Sequence, residues 1–262
     1  MELGLQGTVA FVAGASQGLG KAIALGLAQE GCKVALCSRR ADELAKVAEE
    51  IKNKTGSAAI VVPGDVTKPD EIKSAIASTV EQLGRLDILV TNGGGPPAGA
   101  FAVQSDDAWQ TAFELNLMSV VHMIREALPH LQKSGRGRII NMTSSSVKEP
   151  VQALILSNSL RAGVVGLAKT LSVELAPDSI TVNNIAPGRI DTARIRYLDK
   201  ARAQAQGITE EEAREASIKL IPLGRYGTPE EVANMAVFLA SNKAAYVTGT
   251  TIPVDGGMLK GT

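Results

Sequence analysis

Short runs of Val, Ile, Leu and Ala alternate along this chain with longer stretches in which apolar residues return every three or four positions. Runs that are apolar throughout fit strands buried on both faces, and the three-to-four spacing fits amphipathic helices packed over them. Strands are predicted at 8–13, 33–38, 58–63, 86–91, 137–143, 181–186 and 250–254. Helices are predicted at 17–30, 41–54, 70–83 and 229–239, with Pro69 and Pro229 standing where two of them begin. Longer helical patterns cover 109–131 and 159–176. This alternation predicts one α/β domain over 1–262, a Rossmann-type doubly wound parallel sheet of about seven strands with helices on both faces. Segment 189–227 departs from it: charged, helix-prone and without a strand, it reads either as a substrate lid or as a solvated helical excursion.

Composition narrows the class of partner. With 45% apolar residues the chain can bury a sizeable core without staples, and its 27 basic and 27 acidic residues balance. That balance lacks the basic footprint of a protein working on nucleic acid or anionic membrane, so a small molecule or another protein is the expected partner. No window approaches the roughly 18 uninterrupted apolar residues of a membrane span, and the start has no basic region followed by an apolar stretch. A complete cytoplasmic protein is expected. Cys32 and Cys37 suit neither a disulfide framework nor a zinc site and read as core thiols. His122 and His130 have no partner cluster, so no metal site is predicted.

The first strand is followed at once by Gly14, Gly18 and Gly20, with Ser16, Gln17 and Leu19 among them, and then by a helical pattern. Glycines let the backbone turn sharply and approach a pyrophosphate, whose charge the free N–H groups and dipole of the helix start would stabilise. Strand, glycine turn and helix in this order mark a dinucleotide site; a turn kept for helix–sheet packing is the alternative. After the second strand, where an acidic side chain would accept from a ribose hydroxyl, the chain has Ser38 and Arg39. A guanidinium forks onto a phosphate, so NADP(H) is expected over NAD(H), unless Arg39 and Arg40 only open a solvated helix.

Further segments resemble the short-chain dehydrogenase/reductase family along nearly the whole chain, its bacterial 3-oxoacyl carrier-protein reductase branch above all. Gly14, Gly18 and Gly20 match the family turn, Asp65-Val66 the pair that meets adenine, and Asn92 with Gly93 and Gly94 its Asn-rich stretch. Pro187-Gly188, with Ile190 and Thr192, looks like the segment supporting nicotinamide, and 254–257 like the family's terminal motif. Read singly, Asp65 could cap the following helix and Asn92 could be a turn residue. The resemblance implies carbonyl–alcohol interconversion and assembly as a homodimer or homotetramer through the helical regions 109–131 and 159–176.

It also implies an Asn-Ser-Tyr-Lys set, and here the chain departs. Asn116 and Ser144 match the first two, but Ser157 stands at the tyrosine position and Arg161 at the lysine position. A serine hydroxyl is a far weaker acid than a phenol of pKa about 10, and a guanidinium keeps its proton, so in the lysine's place Arg161 can still hydrogen-bond the cofactor's ribose but cannot relay a proton. Catalysis through an altered proton relay is one expectation, and a nucleotide-binding homologue with a regulatory or scaffolding role is the other. Lys148, Tyr197 and Tyr226 are the candidate replacement donors. The loop from Gly93 to Gly99 fits a pocket wall or ordinary punctuation. In 189–227, Arg189, Arg194, Arg196, Lys200 and Arg202 outnumber Asp191 and Asp199, as an anionic substrate such as an acyl thioester carrier, or a solvated helix face, would require.

Overall fold

The computed structural model describes residues 2–261. Strands β1 (Val9–Ala13), β2 (Lys33–Cys37), β3 (Ala59–Val61), β4 (Ile88–Thr91), β5 (Arg138–Met142), β6 (Thr181–Pro187) and β7 (Thr251–Val254) form a single sheet in the order β3-β2-β1-β4-β5-β6-β7. Every pairing is parallel, and in β1 Val12 stands beside Leu36 on one side and Val90 on the other. The sequence places all seven strands correctly.

Because side chains alternate across a strand, the apolar runs feed two cores. Ala10, Val12, Val34 and Leu36 point to one face, where α1 (Gly18–Gln29), α2 (Ala41–Thr55) and α9 (Pro229–Ala240) cover them. Phe11, Ala13, Ala35 and Leu89 point to the other, under α3 (Pro69–Leu83), α5 (Ser119–Ser134) and α6 (Ile155–Glu174). Ile23 and Leu27 of α1 are fully buried, each contributing about 1.5–3 kcal/mol, and so hold the helix start in register with the end of β1. Among the described residues no helix is long and apolar enough to cross a membrane.

Two helical expectations change. The run predicted at 109–131 begins earlier, at α4 (Asp106–Phe113), capped by Ser105 accepting from the Ala108 N–H, and passes through a π turn at Glu114–Met118 before α5. A π turn closes hydrogen bonds five residues apart and admits one extra residue, which apolar spacing does not reveal. Helix α6 likewise starts at Ile155, ahead of the predicted 159, bringing Ser157 into its first turn.

Segment 189–227 leaves the sheet and returns at one point. The Gly227 N–H donates to the Arg189 carbonyl at 2.9 Å and the Asp191 N–H to the Gly227 carbonyl at 2.8 Å. Between these ends lie α7 (Ala193–Gln206) and α8 (Glu210–Ile218), which with the following turn bury Ile195, Ile221 and Tyr226 together.

Both cysteines are buried. Burial, and behind it Glu71 and Asp65, pushes the Cys37 thiol up to about 12, and burial pushes Cys32 up to about 11. A thiol that cannot ionise is a poor nucleophile. Neither is expected to react with a disulfide reagent at pH 8 in the native protein, and both should react once guanidinium unfolds it, as thiol counting will show.

Candidate functional site

The strand order reverses between β1 and β4, and outside the carboxyl ends of the strands there a cleft of about 1110 Å³ opens. The sequence-predicted residues Gly14, Ser16, Gln17, Gly18 and Leu19 border it, as do Ser38, Arg39, Asp65, Val66, Asn92 and Gly93. So do Ser144, Ser157, Arg161, Pro187, Gly188, Ile190 and Thr192. Gly20 and Asn116 are not among the bordering residues.

At one end is the glycine turn. Gly14 and Gly18 take φ of 62° and 55°, in the left-handed region that favours glycine. Gly20 lies against Gly14: an added Cβ would meet the Gly14 carbonyl oxygen and stand 2.7 Å from its carbon. Helix α1 begins with no side-chain cap and, unlike α2, α3, α4, α8 and α9, no acidic residue in its first turn. Its open N–H groups and uncompensated dipole fit the pyrophosphate of a dinucleotide, with the backbone of Gln17 to Leu19 as the cradle.

The cationic side chains nearby divide the work. Arg39 projects into solvent with its side chain 79% exposed, 3.9 Å from Asp65. Arg40, which the sequence left undecided, folds back: its Nη2 donates to the Ser16 hydroxyl at 3.0 Å and its backbone N–H to the Ser38 hydroxyl at 3.2 Å. Burial works against the Asp65 charge, yet hydrogen bonds from the Thr67 N–H and hydroxyl, with Arg39 and Lys68 nearby, hold its carboxyl below the usual range. Asp65 therefore shapes the turn before α3 as well as bordering the cleft.

At the other end, the loop after β5 brings Ser144 to the edge, its hydroxyl oxygen accepting from the Ser146 N–H at 3.2 Å and its proton left to donate elsewhere. Ser157 is buried on α6, and one turn on Arg161 donates from Nη1 to the Met142 carbonyl at 2.8 Å and from Nη2 to the Gly94 carbonyl at 3.5 Å. Burial, then the nearby charge of Arg194, pushes the Arg161 guanidinium down to about 10, which leaves it charged at neutral pH. Asn116 sits in the π turn, donating to the Ala112 carbonyl at 3.1 Å, while its buried Oδ1 finds no donor among the described residues.

None of the candidate replacement donors Lys148, Tyr197 and Tyr226 borders the cleft. Tyr226 is buried with its hydroxyl donating to Asp199 Oδ2 at 2.9 Å, and burial, reinforced by Asp199, pushes the phenol up. Tyr197 and Lys148 are exposed. Arg40 and Arg194 also border the cleft, where the sequence named Arg40 only as a possible helix start and Arg194 only among the cations of 189–227. Arg194 donates to the Pro96 carbonyl, 98 positions away, a contact with no local signature.

A seven-stranded parallel sheet, wound on both faces and with its cleft at the reversal of strand order, defines a doubly wound protein of the dinucleotide-binding type. The family model described as enoyl-(acyl carrier protein) reductase matches residues 14–259. The chain belongs to the short-chain dehydrogenase/reductase family. A 3-oxoacyl-(acyl carrier protein) reductase of Staphylococcus aureus is 38% identical over 252 residues, 95% of this chain and 97% of its own. A reductase of the same description from Thermotoga maritima is 35% identical over 260 residues, 97% of this chain and 99% of its own. Among solved structures, L-sorbose reductase from Gluconobacter frateurii, complexed with NADPH and L-sorbose, superimposes with a TM-score of 0.94 at 34% identity over 100% of both chains.

Proposed function

We propose that this chain is an NADP(H)-dependent oxidoreductase interconverting a carbonyl and an alcohol, with water as the immediate proton donor. The observation that carries this is a single cleft joining the uncapped glycine turn to Ser144, Ser157 and Arg161. A bound nicotinamide dinucleotide would supply or accept the hydride. Gly14, Ser16, Gln17, Gly18 and Leu19 would hold its pyrophosphate, Asp65 and Val66 its adenine, and Asn92, Gly93, Pro187, Gly188, Ile190 and Thr192 the nicotinamide half. Ser38 and Arg39, with Arg40 behind them, favour the 2′-phosphate. Ser144 orients the substrate oxygen by donating a hydrogen bond from its hydroxyl, Ser157 offers a second hydroxyl, and Arg161 holds positive charge where an alkoxide would develop. Since neither serine is acidic enough to give up its proton at neutral pH, these hydroxyls hold and align water instead. NADPH-bound L-sorbose reductase and the 3-oxoacyl carrier-protein reductases support a reductase of small or acyl-thioester carbonyls. Segment 189–227 serves as the lid, with Ile190 to Arg196 on the cleft wall.

The exchange of Tyr and Lys for Ser157 and Arg161 favours a second reading, a nucleotide-binding homologue without catalysis. Calorimetric titration with NADPH and NADH, then turnover on a panel of ketones, decides between them. Tight NADPH binding with turnover supports the first, binding without turnover the second, and no binding of either nucleotide ends both. Replacing Arg39 with Ala is expected to weaken NADPH about tenfold to a hundredfold while leaving NADH unchanged, since it removes charge-assisted bonds only to the 2′-phosphate.

A further inference from the structure

Resting on that reading of the cleft, we propose that its catalytic end takes a substrate bearing a carboxylate, a short oxo acid paired by Arg194 and Arg161. Most cations of the lid and its return are already engaged. Arg189 pairs with Asp199 at 2.9 Å, Arg196 with Asp191 at 2.7 Å, Arg214 with the other oxygen of Asp191 at 3.4 Å, and Arg225 with Glu231. Arg202 donates to the Ser217 hydroxyl at 3.0 Å. Arg194 has no such carboxylate among the described residues. Its Nη2 donates to the Pro96 carbonyl at 2.7 Å and its guanidinium stands 5.3 Å from the centre of the Tyr197 ring. Arg161 also forms no ion pair among the described residues and is held only by the Met142 and Gly94 carbonyls.

The loop after β4 explains why both guanidiniums stay at the cleft. The Gly94 and Pro96 carbonyls hold one arginine each, from α6 and from the lid. Gly95 gives Arg194 room: an added Cβ would lie 2.5 Å from its Cζ. Each guanidinium carries five N–H donors, of which these carbonyls use one or two. Two like charges, close enough for Arg194 to lower the basicity of Arg161, thus border one cleft with donors unused. Asp191, the acidic residue of the lid on this wall, is already claimed by Arg196 and Arg214. A planar carboxylate would satisfy the spare donors and relieve the repulsion. A phosphate of the nucleotide has similar chemistry, so the test must separate the two sources.

The experiment is calorimetric titration of the full chain, saturated with NADPH, using oxamate and its neutral relative oxamide. Oxamate is expected to bind and oxamide to bind at least tenfold more weakly. Arg194→Gln should weaken oxamate about tenfold or more, Arg194→Lys less, and neither should change NADPH affinity beyond about twofold. Equal binding of the two probes, no binding of oxamate, or no effect of Arg194→Gln overturns the proposal. So does a tenfold loss of NADPH affinity in Arg194→Gln, which assigns the guanidinium to nucleotide phosphate. Thermal melts confirm that each variant folds, and Arg194→Lys carries the test if the Gln variant does not. Should the natural chain fail to bind NADPH, the oxidoreductase reading falls, while the same titration of the nucleotide-free protein still decides the anion site.

Discussion

The Ser157→Tyr, Arg161→Lys double variant is expected to reduce ketones at pH 7 about 10²- to 10⁴-fold faster than the natural chain, the usual contribution of a positioned general acid. Ser157 is buried in the first turn of α6 yet borders the cleft, so a phenol there has open space to enter. Its pKa of about 10 would be drawn toward neutrality by the ammonium one turn on, something no neighbour can do for a serine hydroxyl. Ser157→Tyr alone should recover part of the gain, because Arg161 still supplies positive charge. Steady-state kinetics with NADPH and a ketone panel measure it, and a melt detects the cost of about 1–3 kcal/mol if the ring packs inward instead. A gain of this size means the natural site works without its own general acid. A slower double variant means that the natural arrangement already delivers the proton, and the water-based relay of Ser144 and Ser157 stands.

The second large effect belongs to Gly20→Ala. The new methyl would press on the Gly14 carbonyl oxygen and lie 2.9 Å from Asn92 Nδ2, one of whose two N–H groups donates to the Ala13 carbonyl at 3.2 Å. Three rigid pieces meet there, the end of β1, the end of β4 and the start of α1, so the helix start must tilt away. We expect NADPH affinity to fall about a hundredfold, equivalent to about 2.7 kcal/mol, and the melting temperature to drop as overpacking costs about 1–3 kcal/mol. Titration beside a thermal melt checks both. Unchanged affinity would show that the turn is kept for packing and that the dinucleotide is not held there.

Much of this molecule was legible from its sequence because the relevant signals are local. Strands apolar on both faces fit a parallel sheet covered on both sides, and the period of two that splits Phe11 and Ala13 from Ala10 and Val12 builds both cores. Helix starts announce themselves in short motifs, as at Thr228, Pro229 and Glu231, where a capping box and a proline coincide. The glycine turn belongs with these, since strand, Gly14, Gly18, Gly20 and helix follow one another within one supersecondary unit.

What tertiary structure decided has a different physical origin. The π turn around Asn116 leaves apolar spacing nearly intact, so the helix there reads as regular. Charges are less legible still, because a charged residue in sequence looks the same whether it is paired or free. Tyr226 is pushed up as an acid by burial, with its hydroxyl held on Asp199 27 positions away, and Arg40 is drawn to Ser16 across 24. In 189–227 the count of arginines was plain from the sequence, but which of them had spent its charge depended on where Asp191 and Asp199 came to lie. Only the folded chain leaves Arg194 and Arg161 at the cleft with backbone carbonyls as partners, because ion pairing is settled by distance in space and hydrophobic periodicity by distance along the chain.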